Sequence, residues 1–180
     1  MKKIFIVILS FLFVLQVQAQ FKTASLTASG LTCAMCTKAI YNSLEQIPFI
    51  ESITPDIKNS AFNIKFREAA AVDFDVLKKA VEDAGFSVAS LKATANFSNT
   101  AIQNDAHIRL GDFQYHFIKV SPQTLNGEKT VKIIDKDFIP AKEHKKFAAT
   151  TKMKCIETGK AAACCTQGHS ANERIYHITI

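Results

Sequence analysis

Hydrophobic and polar residues alternate along the first half of the chain in a way that predicts a sheet with two helices. Apolar residues spaced by three and four predict a helix that begins near Ala34 and a second that begins after Asp73 and ends at Gly85. Strands of period two are predicted around residues 24–28, 53–57, 62–66 and 86–91. Pro55 confines the second strand to a sheet edge or a bulge. The order β-α-β-β-α-β from about residue 20 to 93 predicts a ferredoxin-like α+β domain.

The second half has a different pattern. Residues 94–105 are dominated by Ala, Ser, Thr, Asn and Gln, which is typical of a linker. Beyond it, Asn126-Gly127 predicts a hairpin turn, and Pro140 fits the first turn of a helix. Short strands are predicted at 107–110, 113–120, 130–134 and 175–180. Residues 106–180 are therefore expected to form a small β-rich domain, for which an OB-like barrel is one compatible arrangement.

The first nineteen residues have the pattern of a secretory signal peptide. Lys2 and Lys3 precede an apolar run from Ile4 to Leu15, and small residues lead to a cleavage position near Ala19. The apolar run is too short to cross a bilayer. We therefore expect an exported protein, periplasmic in location and not membrane-spanning.

Charge and composition exclude some classes of function. The formal net charge is +6, and lysine and glutamate are interspersed rather than grouped in blocks. That distribution is typical of a solvated surface and does not favour nucleic-acid binding. The sequence shows no activated nucleophile or acid–base set, so we do not expect an enzyme.

Two of the five cysteines, Cys33 and Cys36, lie in the stretch GLTCAMCT between the first strand and the first helix. At the start of a helix, unpaired backbone N–H groups stabilise thiolates, the form that binds metals. Two sulfurs on a short loop suit a soft ion of low coordination number, Cu(I) or Hg(II), whereas Zn(II) would need further ligands. In an oxidising compartment the same pair could form a disulfide or exchange disulfides, and these alternatives stay open.

The segment Leu31-Thr32-Cys33-Ala34-Met35-Cys36 resembles the metal-binding loop of the heavy-metal-associated (HMA) domain family. The resemblance covers about residues 21–93. Within it, the segment resembles periplasmic mercuric-ion binding proteins and, equally, copper chaperones. It implies a βαββαβ fold in which Cys33 and Cys36 ligate the metal. It also implies that Phe86, which follows the second helix, lies near this loop.

Three residues are candidates for supporting the loop. Thr32 would orient it through its hydroxyl group or cap the first helix, with the same geometric result. Met35 is either a third soft ligand through its thioether or a flexible exposed side chain. Phe86 is either a core residue or a shield over the metal.

The other three cysteines lie close together near the C-terminus. Cys164 and Cys165 are neighbours and rarely pair with each other, so a disulfide would join Cys155 to one of them. The alternatives are a soft-metal site made by the remaining thiol with His169 or Met153, or plain free thiols.

The remaining histidines are not expected to bind metal. His107, His116 and His177 fall on predicted strands, where an exposed or hydrogen-bonded residue is the simpler interpretation. His144 lies in a lysine-rich helical segment that predicts a solvated face.

These observations favour an exported protein that captures a soft metal ion, Cu(I) first and Hg(II) or Zn(II) as alternatives. The ion would pass from the thiolates of Cys33 and Cys36 to another metal-binding protein or a membrane metal transporter by ligand exchange. Two alternatives stay open: a partner-binding module whose disulfides are structural, and a periplasmic thiol–disulfide exchange protein.

Overall fold

The computed structural model describes residues 20–31, 33–161 and 172–180 of the chain. The predicted signal peptide, Thr32 and the segment that contains Cys164, Cys165 and His169 lie outside the described residues. Within the described residues, no helix is both long enough and apolar enough to cross a membrane.

The first half of the chain has the predicted order of elements. They are β1 (Phe21–Ser29), α1 (Ala34–Glu45), β2 (Ile50–Asp56), β3 (Ala61–Phe66), α2 (Phe74–Asp83) and β4 (Ser87–Ile102). The four strands lie in the order β2-β3-β1-β4 and all pair antiparallel. The βαββαβ prediction is confirmed, and β2, which contains Pro55, lies at the sheet edge as expected.

Both helices of this half bury the apolar residues that the sequence pattern singles out. Ile40 and Leu44 of α1 and Leu77 of α2 are fully buried in the main hydrophobic core. Helix α2 begins as predicted, because the Asp73 carboxylate accepts a hydrogen bond from the backbone N–H of Asp75.

The second half extends the same sheet. Its elements are β5 (His107–Leu110), β6 (Phe113–Phe117), β7 (Gln123–Ile133), α3 (Ala141–Ala148), α4 (Cys155–Thr158) and β8 (Ile175–Thr179). The described strands form one eight-stranded sheet in the order β2-β3-β1-β4-β7-β8-β6-β5. Strands β6 and β8 pair parallel, and the other neighbours pair antiparallel.

The expected linker at 94–105 is wrong over most of its length, because β4 continues to Ile102 and pairs with β7 from Leu91 onward. The buried positions here are occupied by small residues, Ala93 and Ala95, which are fully buried. The strand therefore lacks the large apolar residues at every second position that predict a strand. The C-terminal strands therefore join the first sheet. Among the described strands they do not close an OB-like barrel of their own.

The predicted hairpin at Asn126-Gly127 is also wrong. Gly127 lies inside β7 with φ +71°. It pairs with Phe97, whereas the next pair joins Thr100 to Leu125, so β4 contributes one residue more than β7 between them. The extra residue lies in β4, where Asn99 has φ +45°, and Gly127 takes its positive φ opposite this bulge rather than at a chain reversal.

Candidate metal site

The loop that carries Cys33 and Cys36 connects β1 to α1. Gly30 turns the chain with φ +82°, and Leu31 packs against the main core. Cys33 is the N-cap of α1, in extended backbone conformation, and Cys36 lies in the first helical turn. Cys33 is exposed and Cys36 is half-buried, so the pair faces solvent at the positive end of the helix dipole.

The two thiols are close and interact with each other. Their Sγ atoms lie 2.7 Å apart, and the backbone N–H of Cys36 donates to Cys33 Sγ at 3.4 Å. The hydrogen bond from the Cys36 side chain, followed by the backbone N–H of Cys36, lowers the pKa of Cys33 from its ordinary value. The pair thus favours the thiolate that binds metals.

This arrangement can open around an ion. Metal–sulfur bonds of about 2.3 Å would place two sulfurs about 4.6 Å apart in a linear geometry. The sulfurs of Cys33 and Cys36 are 2.7 Å apart and must therefore separate when an ion enters. Because Cys33 is exposed, its side chain can rotate outward without disturbing the core.

The candidate loop-supporting residues Met35 and Phe86 differ in exposure. The side chain of Met35 is 75% exposed, whereas Phe86 packs against the main core. Phe86 also lies at the base of the loop, since its Cδ1 atom is 3.8 Å from the position of a Cβ at Gly30. Phe86 is thus a half-buried residue that packs against the core beneath Gly30. Thr32 lies outside the described residues.

A second cluster of ligand-type atoms lies in the C-terminal half. The donor atoms of His107, His116 and Cys155 all lie within 4.8 Å of one another. His116 is a hydrogen-bonded strand residue as predicted, but it is fully buried and its Nδ1 is 3.5 Å from Cys155 Sγ. Met153, expected near the thiols, packs against the small cluster that contains Cys155.

Part of this cluster could have been found from the sequence. His107 and His116 are equidistant from the turn at Gly111-Asp112, so a hairpin at that turn places them opposite each other, as the register confirms. The position of Cys155 has no comparable local signal, because it is 39 residues from His116 along the chain.

Residues 25–87 match the family model of the heavy-metal-associated domain. Among curated proteins, the probable copper-exporting P-type ATPase of Archaeoglobus fulgidus is 29% identical over 68 residues, which are 38% of this chain and 8% of that protein. The match thus spans less than a tenth of the length of that relative.

Several solved structures are similar to a segment of this chain. Oxidized MerP from Ralstonia metallidurans CH34 is 22% identical, covering 38% of this chain and 97% of that chain, with a TM-score of 0.34. The CopZ metallochaperone is 24% identical over 37% and 97% of the two chains, with a TM-score of 0.34. The yeast copper transporter domain Ccc2A is 22% identical over 37% and 90%, with a TM-score of 0.33.

Proposed function

We propose that the protein captures Cu(I) with Cys33 and Cys36 and passes it on by ligand exchange, because residues 25–87 match the family model of the heavy-metal-associated domain. An incoming thiolate from an acceptor would bind the ion before one of the two cysteines leaves. Copper would thereby move between proteins without being released to solvent.

The observation that carries this proposal is the position of the two thiols at the first turn of α1. They are adjacent, with Sγ atoms 2.7 Å apart, and Cys33 is exposed. Exposure matters because an acceptor thiolate must reach the ion while both original sulfurs still hold it. A buried pair would bind an ion but could not pass it on in this way.

The donor set favours a soft ion, Cu(I) or Hg(II), over Zn(II), and the similarity to a probable copper-exporting ATPase supports Cu(I) as the first candidate. Two thiolates satisfy a soft ion of low coordination number, and Hg(II) meets the same requirement. Zn(II) prefers four ligands. Within the first turn of α1, the other side chain with a soft donor is Met35, which is 75% exposed.

The cellular setting belongs to the same proposal. The signal-like start of the sequence supports export to an oxidising compartment. The acceptor would be another metal-binding protein or a membrane metal transporter, for which the similarity to a copper-exporting ATPase is the supporting observation. In such a compartment the thiols must be kept reduced or metal-loaded to function.

Anaerobic titration of the reduced protein with Cu(I), against a chromophoric chelator of known affinity, tests the capture step. We expect the Cys33→Ser/Cys36→Ser double variant to lose one tightly bound equivalent of Cu(I). The variant Thr37→Ser, altered one residue beyond the pair, should bind Cu(I) like the wild type. Equal binding by the double variant and the wild type would refute the proposal.

A transfer experiment tests the second step. The Cu(I)-loaded protein is mixed with a reduced peptide that carries a Cys-x-x-Cys sequence, and copper is measured in each after separation. We expect copper in the peptide within the mixing time at chelator concentrations that prevent transfer through solvent. Retention of all copper by the protein would indicate storage rather than transfer.

A thiol–disulfide exchange function is the second candidate, and the 2.7 Å separation of the sulfurs favours it. The reduction potential of the Cys33–Cys36 pair distinguishes the two functions. A strongly oxidising potential together with weak Cu(I) binding would favour the redox function.

A further inference from the structure

Three neighbouring strands carry a row of histidines. His107 of β5 is the register partner of His116 of β6, which is in turn the register partner of His177 of β8. The rings of His107 and His116 stack with centroids 4.2 Å apart, and those of His116 and His177 lie 5.1 Å apart. His116 and His177 are fully buried. Buried imidazoles so close together require an explanation, because burial of polar groups costs free energy unless they are satisfied.

Cys155 places a thiol against this row. It is the first residue of α4 and is fully buried, and its Sγ lies 3.5 Å from His116 Nδ1. One donor atom from each of His107, His116 and Cys155 lies within 4.8 Å of the other two.

The distance between His116 Nδ1 and Cys155 Sγ fits coordination to a shared ion. With bonds of about 2.0 Å to nitrogen and about 2.3 Å to sulfur, a tetrahedral angle separates the two ligand atoms by about 3.5 Å. The distance between His116 Nδ1 and Cys155 Sγ is 3.5 Å. The other donor pairs, at up to 4.8 Å, need a closing movement of about 1 Å.

Asp105 holds His116 in the orientation that such a site requires. The Nε2–H group of His116 donates to Asp105 Oδ1 at 3.1 Å, which leaves the lone pair of Nδ1 directed toward Cys155. Asp105 is itself fixed by a backbone hydrogen bond to the Phe117 carbonyl at 2.9 Å. A carboxylate that orients a ligating histidine in this way is a recurring feature of metal sites.

We propose that His107, His116 and Cys155 form a second metal site, for a transition-metal ion of borderline softness such as Zn(II). Two imidazoles and one thiolate are the donors such ions accept, and a fourth position is open to water or another donor. The site shares no residue with the Cys33–Cys36 pair, and it offers three ligands in a buried setting rather than two at the surface. It therefore holds an ion in place, whereas the exposed pair exchanges one.

The test uses Co(II) as a spectroscopic substitute for Zn(II). The full exported chain carrying Cys33→Ser and Cys36→Ser is reduced, freed of metal and titrated anaerobically with Co(II). We expect one bound equivalent with sulfur-to-cobalt charge-transfer absorption, which Zn(II) then abolishes by displacement. Because Cys33 and Cys36 are absent, this result is independent of the proposed Cu(I) function.

Variants identify the ligands. In the same background, Cys155→Ser should abolish the charge-transfer absorption, and His107→Gln should weaken Co(II) binding at least tenfold. His144→Gln is the matched control, since His144 contacts the Ile156 carbonyl at 3.3 Å rather than the cluster, and it should bind Co(II) unchanged. Far-UV circular dichroism establishes that each variant is folded, and the half-buried position of His107 makes its variant the milder change.

Two results would overturn the proposal. One is the absence of stoichiometric Co(II) binding by the reduced protein, which would leave a simple S–H to Nδ1 hydrogen bond as the reason for the short distance. The other is a charge-transfer band that survives Cys155→Ser and His107→Gln but disappears when Cys164 and Cys165 are replaced by serine.

Discussion

At the scale of single residues, local sequence determines the position of the Cys33–Cys36 pair, whereas tertiary structure brings Cys155 to His116. The position of Cys33 and Cys36 could be predicted from the sequence. The end of a strand followed by an N-cap marks the start of a helix, and the spacing of three residues places both cysteines at its first turn. The contact between His116 and Cys155 depends on how α4 packs against β6, and no local pattern encodes that packing.

Met35 provides a test of which side chains bind the ion at the surface loop. Its side chain is 75% exposed, so a thioether ligand would have to fold back from solvent. We expect Met35→Leu to change the Cu(I) affinity less than twofold in the same chelator competition, since leucine preserves size and removes sulfur. A tenfold loss would make the thioether a third ligand.

Asp135 is a buried carboxylate that stabilises the fold in its charged form. Its Oδ1 accepts from His177 Nδ1 at 2.7 Å, and its Oδ2 accepts from the His177 backbone N–H at 2.9 Å. Burial alone would raise the pKa of Asp135, but the interactions with His177 and then Arg174 outweigh burial and lower the pKa below its ordinary value. We expect Asp135→Asn to lower the free energy of unfolding by about 3 kcal/mol or more at neutral pH, measured by urea denaturation.

The lowered pKa also sets the direction of the pH dependence. A carboxylate with a depressed folded-state pKa contributes stability above its unfolded pKa, about 3.9, and loses that contribution as pH falls further. The difference in stability between wild type and Asp135→Asn should therefore shrink below about pH 4. Asp137→Asn, at an exposed neighbour, is the control and should cost less than about 0.5 kcal/mol. A difference independent of pH would contradict the assigned role of the charge.

At the scale of elements, the sequence predicts βαββαβ well and the extent of β4 poorly. The first strands and helices have large apolar residues at regular spacing, which is a strong local signal. In β4, Ala93 and Ala95 occupy buried positions on a strand shared by two halves of the sheet, with polar residues between them. Alanine marks a buried position weakly, so the alternation resembled a linker. The bulge in β4 opposite Gly127 likewise depends on the neighbouring strand, which the sequence does not identify.

The link between helix α2 and strand β8 gives an element-scale prediction. Tyr176 is fully buried, and its hydroxyl donates to Asp73 Oδ1 at 2.6 Å and accepts from the Asp75 N–H at 3.0 Å. Burial and the bond to Asp73 raise the pKa of Tyr176, so the hydroxyl stays protonated and can donate. We expect Tyr176→Phe to lower the free energy of unfolding by about 2 kcal/mol, the range for a hydrogen bond to a charged group.

Tyr41→Phe is the matched control for this measurement. Tyr41 is a half-buried residue of α1 whose hydroxyl lies 3.5 Å from Glu45 Oε1, a marginal hydrogen bond at the surface. Its loss should change the free energy of unfolding by less than about 0.5 kcal/mol. Equal effects of the two substitutions would show that the Tyr176 hydroxyl does not couple α2 to β8.

At the scale of the whole molecule, the segment that matches the heavy-metal-associated model is structurally continuous with the rest of the chain. Phe21 of β1 contacts Tyr115 of β6 with ring centroids 5.3 Å apart, and Phe74 of α2 contacts Tyr176 at 5.3 Å. Arg174 pairs with Asp75 at 2.7 Å across the same boundary. The family-model match ends at residue 87, but the sheet and the core continue beyond it.

This continuity predicts that the two halves unfold together. Separate domains joined by a linker would each have their own core and their own denaturation midpoint. Here the two halves share a strand and a core, so unfolding only one half would expose Phe21 and Phe74 to water, which is costly. We expect hydrogen exchange followed by mass spectrometry at increasing urea to show peptides from β3 and β6 losing protection at the same midpoint. Protection of β3 at urea concentrations where β6 has already exchanged would contradict this. It would indicate that the first half of the chain folds without the strands that extend its sheet.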